Sequence, residues 1–228
     1  FMMPNNWDFL LHYATMNDKP ELMEQVNTTL RRMAYGGVYD HVGGGFSRYA
    51  VDTTWHVPHF EKMLYDNGQL TSLYAKAYAV TENEMYKEVV DETIAFVQEE
   101  LWDENGGFYS SLDADSLNEQ GELGEGAYYV WTKEELTQLL GDDYELFQTY
   151  FNINSYGLWE DGNYVLIKDK SDEEIAEKFN ISVSELKSKM ENALSILKTE
   201  RAKRSKPRLD DKILTSWNGL MLKGLVDA

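Results

Sequence analysis

Apolar side chains recur every three or four residues over much of this chain, which is the spacing that places them on one face of an α-helix. The pattern predicts a helix over residues 5–16, with Asn6 as its N-cap, and a second helix over residues 19–35, where two glycines end it. Only a short turn separates the two, so we expect an αα-hairpin. Residues 83–101 carry the same pattern and predict a further helix.

The C-terminal half is more polar, and capping residues mark its helices. Thr132 precedes a helical stretch and Glu135 follows three residues later, which is the arrangement of a capping box. Alternation of apolar and polar residues over 106–113 and 126–131 predicts a small β-hairpin. Further elements are expected as follows: helices over residues 144–151, 171–179, 182–204 and from Thr215 or Ser216 to the end, and a turn at Asp161-Gly162 between two short strands.

Residues 36–67 follow neither periodicity. The segment contains three of the four histidines and a run of glycines at 43–45, which excludes a helix in its middle. From Pro58 onward, helix-forming residues with helical apolar spacing return, so a helix is predicted from Pro58 to about Val80. That helix would carry His59, Lys62 and Asp66 on one face, and Glu61 and Tyr65 on the next face.

A second glycine-rich loop, residues 102–131, resembles the first. Both loops follow a helix and contain a Gly-Gly-Phe step, which indicates a weak internal repeat of a helix pair plus a loop, with a period of about 60 residues. Helices that alternate with such loops, and too few strands for a full sheet, indicate an all-α fold. The expected architecture is a toroid of stacked helical hairpins, with short β-hairpins in the loops at one rim.

The chain is strongly acidic, with a formal net charge of −19. This charge would repel a phosphate backbone or an anionic membrane, so we expect no nucleic-acid partner and no membrane partner. The sequence has no cysteine, which excludes disulfides and thiolate chemistry and fits a cytoplasmic protein, and it shows no signal peptide or apolar membrane span. One basic stretch, residues 198–212, is interpreted as a solvated helix end.

Carboxylates come from three separate parts of the chain: Glu61, the loop that contains Asp113 and Asp115, and the segment before the last helix. Cleavage of a glycosidic bond needs one protonated and one ionised carboxyl group, and aromatic rings can stack on the sugar. Epimerisation or isomerisation of a sugar instead needs a proton-transfer pair, typically with histidine. His59 and Glu61 suit either reaction, so the sequence leaves the two open.

Candidate site residues follow from this chemistry. In the favoured arrangement, Glu61 or Asp211 forms an acid–base pair with an acid of the loop that contains Asp113 and Asp115, and tryptophans stack on the sugar. The residues expected to carry out or orient the reaction are His59, Glu61, Lys62, Asp66, Asp113, Asp115 and Asp211. The residues expected to bind the substrate are Arg48, Trp55, Tyr65, Glu125, Trp131, Lys212, Trp217 and Asn218.

Sequence motifs for metals, nucleotides and serine nucleophiles are absent. His41, His56 and His59 lack the HExxH spacing, and Asp113-x-Asp115 lacks the rest of a calcium-binding loop. The glycine run is neither a dinucleotide-binding nor a phosphate-binding loop, and no GxSxG occurs. We therefore expect no metal and no cofactor.

Three motifs carry a family resemblance. YDHVGGGFSRYAVDTTWHVPHFEKMLYDN, DADS with EGAYYVWTKEEL, and RLDDKILTSWNGLM closely resemble the thioredoxin-domain-containing, spermatogenesis-associated protein family. The resemblance implies an (α/α)6 barrel, similar to six-hairpin glycosidases and N-acylglucosamine 2-epimerases, that follows a thioredoxin-like domain. It also implies that residues 1–228 are a partial barrel domain, with the thioredoxin-like domain before Phe1 and the rest of the barrel after Ala228.

The resemblance and the chemistry together leave two hypotheses. The first is a carbohydrate-active barrel that hydrolyses glycosides or epimerises sugars in an acidic, aromatic cleft. The second is a non-catalytic scaffold whose loops bind a partner of the thioredoxin-like domain. Because a partial toroid exposes apolar helix faces, we also expect self-association or a covering remainder of the barrel.

Overall fold

Helices make up most of the structure, a computed structural model that describes residues 1–118 and 120–228. The helices are α1 (Pro4–Met16), α2 (Pro20–Tyr35), α3 (Leu64–Thr81), α4 (Glu84–Glu100), α5 (Lys133–Leu140), α6 (Tyr144–Tyr150), α7 (Asp172–Phe179), α8 (Val183–Arg201) and α9 (Thr215–Asp227). Neighbours along the chain pack in pairs, α1 with α2, α3 with α4 and α7 with α8. The predicted all-α class is confirmed.

Short antiparallel ribbons connect the helices. The strands are β1 (Tyr49–Ala50), β2 (Pro58–His59), β3 (Lys62–Met63), β4 (Ser111–Leu112), β5 (Asp115–Leu117), β6 (Leu123–Glu125), β7 (Trp131–Thr132), β8 (Asn163–Tyr164) and β9 (Leu209–Asp210). They pair as β1-β2, β3-β4-β9, β5-β6 and β7-β8. Helices with such small ribbons fit a partial helical toroid, and the described residues do not close into a barrel. Within those residues, no helix combines the length and apolarity needed to cross a bilayer.

Helix α3 is the centre of the first core, and it packs against α1, α4 and α9. Its side chains are buried on most sides, so it lacks the one-sided apolar stripe of a surface helix. Two glycines bring α3 and α9 into backbone contact. A Cβ on Gly68 would lie 2.8 Å from the Met221 Cα, and a Cβ on Gly224 would lie 2.5 Å from the Gly68 oxygen. Larger residues there would force the helices apart.

The second core lies among helices α5 to α8 and contains the fully buried ring of Trp131. The predicted capping box of Thr132 and Glu135 is confirmed, and Ser171 and Glu174 form another at the start of α7. The predicted turn at residues 161–162 is also confirmed, since both residues have positive φ. These features agree with prediction because each depends on residues close together in the chain.

The predicted helix start at Pro58 is wrong. Residues 58–63 are extended, because β2 pairs with β1 and β3 pairs with the distant β4. Pairing with these strands overrides local helix propensity, and the helix begins only at Leu64. Side chains along an extended segment alternate between two sides. Phe60 and Lys62 therefore point inward and are buried, while His59 and Glu61 lie on the other side and are partly exposed.

Three smaller predictions also fail. The strand pairing between residues 106–113 and 126–131 does not form, since β4 pairs with β3 and β9, and β7 pairs with β8. The hairpin of this loop is instead β5-β6. The N-cap of α1 is Met3 rather than Asn6, and α9 follows Leu214 with no side-chain cap from Thr215 or Ser216.

Candidate functional site

Six polar side chains come together between the β1-β2 ribbon, β6 and the start of α3. We call them the rim cluster: Arg48, His59, Glu61, Tyr65, Asp66 and Glu125. Arg48 Nη1 lies 2.9 Å from Glu61 Oε2, and the Arg48 amide donates to the Glu61 carbonyl over 2.8 Å. His59 lies between two carboxylates, with Nδ1 2.6 Å from Glu125 Oε1 and Nε2 3.7 Å from Glu61 Oε2.

Asp66 has the most unusual environment in the rim cluster. It lies in the first turn of α3, is only 8% exposed, and its Oδ2 has no hydrogen-bond partner among the described residues. Burial raises the pKa of Asp66 to about 7, although the nearby charge of Arg48 and the Tyr65 hydroxyl act in the opposite direction. The buried Nε of Arg48 also lacks a protein partner in the described part of the chain. Asp66 and Arg48 thus each have one buried polar atom that forms no hydrogen bond within the described residues.

Aromatic rings lie beside this cluster. Tyr65 meets Trp217 edge to face, with ring centroids 4.8 Å apart, and His59 stacks on Tyr49 at 4.9 Å. Tyr65 and Trp217 are both partly exposed, so they can form the apolar wall of a binding surface. The structure thus places Trp217, one of the residues expected to bind the substrate, beside the cluster.

Two other tryptophans do not contribute such a wall. Trp131 is completely buried in the second core, where its ring packs 4.0 Å from the Arg204 guanidinium carbon, so no ligand can reach it in this conformation. Trp55 packs against the first core and has a positive φ of 65°, and its carbonyl accepts a hydrogen bond from the Gly37 amide. Both rings have structural contacts that the sequence pattern did not reveal.

Lys62 lies on the opposite side of the 58–63 segment from the rim cluster. Its Nζ donates to Asp40 Oδ2 over 2.7 Å and to the Gly44 carbonyl over 2.8 Å, and Arg201 Nη1 donates to Asp40 Oδ1 over 2.8 Å. Burial lowers the pKa of Lys62 to about 8, against the opposing effect of Asp40. The predicted face shared by His59, Lys62 and Asp66 therefore does not exist.

Sequence reasoning missed Asp40 and Arg201. Burial alone would raise the pKa of Asp40, but Arg201 and Lys62 hold it well below its ordinary value. Arg201 belongs to the basic stretch that was interpreted as a solvated helix end, yet it is only 5% exposed. If residues 58–63 are taken as extended, Phe60 and Lys62 lie on the same side of the segment. Because Phe60 is apolar, that side is the buried one, and this is the sequence signal for a buried lysine.

The remaining carboxylates are more scattered than predicted. Asp113 lies 3.7 Å from Arg208, and Asp211 is exposed, so the structure does not bring either to the rim cluster. Asp115 is exposed but lies directly across from Glu125 in the β5-β6 ladder, which puts both side chains on one face. Glu125, predicted as a substrate-binding residue, therefore joins the cluster, and Asp115 lies at its edge.

Two predicted binding residues are engaged elsewhere. Lys212 is exposed and pairs with Asp210, with Nζ 2.7 Å from Oδ1. Asn218 Oδ1 accepts from the Phe108 amide over 2.7 Å, and its Nδ2 donates to the Phe108 carbonyl over 2.9 Å. The Asn218 amide thus ties the loop at Phe108 to the first turns of α9. Among the described residues, no group of three or more His, Asp and Glu side chains is arranged to hold a metal ion.

Comparisons with known proteins extend the resemblance seen in the motifs. No family model matches the chain. It is 39% identical over 238 residues to human spermatogenesis-associated protein 20, a match that covers 96% of this chain and 30% of the human protein. The mouse protein of the same name is 37% identical over 96% of the chain and 30% of its own length. An uncharacterized protein of Caenorhabditis elegans is 38% identical over 97% of the chain and 34% of its own length.

The chain spans about a third of the length of the curated relatives it matches. Over almost its whole length it is therefore similar to proteins named spermatogenesis-associated protein 20, which supports the resemblance to that family.

Proposed function

We propose that the rim cluster is an acid–base site that acts on a carbohydrate or a closely related polyhydroxylated molecule. The observation that carries this proposal is the contrast between two neighbouring carboxyl groups. Asp66 is buried with an unpartnered oxygen, whereas Glu61 is partly exposed and forms an ion pair with Arg48. Enzymes obtain an acid and a base from two carboxyl groups by placing them in such unlike environments.

Each residue of the cluster has a role in this proposal. Asp66, with its pKa of about 7, holds a proton near neutral pH and donates it to the substrate. Glu61 is the ionised carboxylate, and Arg48 orients it. His59 lies between Glu61 and Glu125, so it can pass a proton between carboxylates or between a carboxylate and a substrate hydroxyl. Hydrolysis would use Asp66 with Glu61, whereas epimerisation would depend more on His59.

The charge of the cluster narrows the substrate class. Even with Asp66 protonated, three carboxylates (Glu61 and Glu125 of the cluster and the adjacent Asp115) outnumber the one permanent cation of the cluster, Arg48. An anionic sugar, such as a phosphorylated one, would be repelled there, while hydroxyl groups can hydrogen-bond to carboxylates and stack on the partly exposed Tyr65 and Trp217. The proposed substrate is therefore an uncharged sugar or glycoside.

A non-catalytic scaffold, which packs against other segments of a larger protein, is the second candidate, and exposed apolar helix faces support it. On α1, Phe9, Tyr13 and Met16 follow one another at helical spacing and are exposed, and Leu222 and Val226 do the same on α9. Apolar faces of this kind are normally covered by another part of a protein or by a partner. We assign them to the rest of the toroid, which together with an N-terminal thioredoxin-like domain would account for the longer relatives. Sedimentation of the isolated chain as a stable monomer would contradict this assignment.

The test is a panel of uncharged sugars and aryl glycosides offered to the full-length protein. Asp66→Asn and Glu61→Gln should each lower kcat by about 100-fold or more, because each removes one partner of the acid–base pair. His59→Ala separates the two reactions, since it should abolish epimerisation and only weaken hydrolysis.

Asp113→Asn is the matched control, because it changes a nearby carboxylate that lies outside the cluster, and it should retain activity. Turnover that is unchanged in Asp66→Asn and Glu61→Gln, or an absence of turnover across the panel, would reject the enzyme proposal in favour of the scaffold.

A further inference from the structure

A cavity of about 80 Å³ lies on the side of the 58–63 segment opposite the rim cluster. Its inner end is formed by the buried ion group Asp40, Lys62 and Arg201. Its walls are largely apolar and come from α4, β4, the end of α8 and the turn before β7. The apolar and aromatic lining residues are Phe96, Leu112, Tyr128, Tyr129, Ala202 and Pro207. The cavity therefore has a charged inner end and walls that are largely apolar and aromatic.

The charged end of the cavity has an excess of cations. Lys62 and Arg201 share the single carboxylate of Asp40, and their side chains are 2% and 5% exposed. At the mouth, Lys198 and Lys206 pair with Glu99 and Glu100. The lining as a whole thus holds four cations and three carboxylates, in a protein whose net charge is −19. A locally positive cavity in so acidic a chain points to an anionic ligand.

Arg201 keeps donor capacity toward such a ligand. Within the described residues its side-chain hydrogen bond runs from Nη1 to Asp40, although a guanidinium has five N–H groups. Nη2 lies against Gly43, where a Cβ would come within 2.1 Å of it. The glycine therefore allows the guanidinium to sit beside the loop. The rings of Tyr128 and Tyr129 also pack near the group, with their centres 5.1 and 5.6 Å from the guanidinium carbon.

Tyr129 supplies a further unused donor. Its ring stacks on Phe60 at 5.6 Å, and the Lys62 Nζ lies 5.1 Å from the ring centre. The hydroxyl group is buried and has no hydrogen-bond partner among the described residues. A buried hydroxyl without a partner destabilises the folded protein unless something binds it, so the hydroxyl of this lining residue is a candidate donor to a ligand.

We propose that this cavity binds a small organic monocarboxylate, with its carboxylate between Arg201 and the Tyr129 hydroxyl and its apolar body between Phe96, Leu112 and Tyr128. The available polar groups are N–H and O–H donors, which match a carboxylate. Asp40 and the two glutamates at the mouth oppose a dianion such as phosphate, and the apolar walls favour a ligand with a hydrocarbon body. The site is separate from the rim cluster, so its test does not depend on the proposed reaction.

Benzoate is a suitable probe, because it combines one carboxylate with an apolar ring. Titration of the protein with benzoate, followed by calorimetry and by chemical shifts of the Tyr128 and Tyr129 rings, should show saturable binding. Benzamide has the same shape without the charge and should bind at least about tenfold more weakly. Inorganic phosphate should compete poorly with benzoate.

Tyr129→Phe is the decisive variant. It removes only a hydroxyl that has no protein partner, so the variant should be as stable as the wild type or more stable, while benzoate affinity should fall about tenfold. Tyr144→Phe is the matched control, because Tyr144 also has a buried hydroxyl without a partner in the described residues but lies in the second core. It should leave benzoate affinity unchanged.

Three outcomes would overturn the proposal. One is the absence of saturable benzoate binding, and another is equal affinity for benzoate and benzamide. The third is benzoate affinity that is the same in Tyr129→Phe and in the wild type, since the hydroxyl would then take no part in binding.

Discussion

Asn67 and Asn218 occupy the same position in two different helices and make the same three hydrogen bonds. Asn67 accepts from the Phe46 amide over 2.7 Å and donates to the carbonyls of Phe46 and Met63 over 3.0 and 2.9 Å. Asn218 accepts from the Phe108 amide over 2.7 Å and donates to the carbonyls of Phe108 and Leu214 over 2.9 and 3.1 Å.

In both helices the asparagine is four residues after the N-cap, and the phenylalanine ends a Gly-Gly-Phe step. Each asparagine thus fastens the loop that follows one helix to the start of another. The two Gly-Gly-Phe steps are thus held in the same way, although their asparagines lie 21 and 110 residues further along the chain.

The first prediction concerns these clamps. Asn67→Asp should destabilise the protein by about 2 to 4 kcal/mol, because the new carboxylate cannot donate to the two carbonyls and is buried beside them. Asn218→Asp should have a smaller effect, since Asn218 is partly exposed. Urea unfolding measures both. Asn6→Asp, at an exposed position in α1, is the control and should change stability little, and an equal effect at all three positions would contradict the clamp.

The second prediction follows from Asp66. Its pKa is raised from 3.8 to about 7 in the folded protein, so the folded state binds more protons than the unfolded state between about pH 4 and pH 7. Stability from this group is therefore lost as the pH rises through that range. Asp66→Asn stays neutral and should gain stability over the wild type with rising pH, by at most about 4 kcal/mol at pH 8.

Unfolding of both proteins in the same buffers from pH 4 to pH 8 measures this gain, because titration of the other groups cancels in the difference. A difference that does not change with pH would show that Asp66 has an ordinary pKa.

The third prediction concerns the buried ion group. Asp40→Asn leaves Lys62 and Arg201 buried without their shared carboxylate and should cost about 3 to 5 kcal/mol of stability. Lys62→Met should cost less, because Asp40 keeps its bond to Arg201. Asp91→Asn, which breaks an exposed pair with Lys87, should have no measurable effect. Thermal or urea unfolding gives the order, and a larger loss in Lys62→Met than in Asp40→Asn would contradict it.

The fourth prediction compares two glycines that lie close to the α3 and α9 contact. Gly68→Ala should destabilise by about 2 kcal/mol or more, because its Cβ would meet the backbone of Met221. Gly219→Ala should instead stabilise by about 0.5 to 1 kcal/mol, since Gly219 is in α9 with no atom within 4 Å of the added Cβ and alanine favours a helix. Effects of the same sign in the two variants would contradict the close helix contact.

Much of the secondary structure follows from local sequence. The helices near residues 4–35 and 84–100, and the capping box of Thr132 and Glu135, are set by spacing and by hydrogen bonds between residues three or four apart. The acidic charge and the residue types of the rim cluster are likewise properties of the sequence. These features could be predicted because no distant segment is needed to form them.

The side to which each functional group points depended on tertiary contacts. Local propensity favours a helix from Pro58, but β2 pairs with residues 49–50 and β3 pairs with residues 111–112. An extended chain separates neighbouring side chains that a helix would have grouped, so Glu61 joined Arg48 in the rim cluster and Lys62 joined Asp40 on the opposite side.

The sequence by itself therefore determined the helical class and the chemistry available to the chain. Only the tertiary structure decided which groups share a site. Strand pairing and burial depend on residues far apart in the chain, and a single sequence does not encode their distances locally.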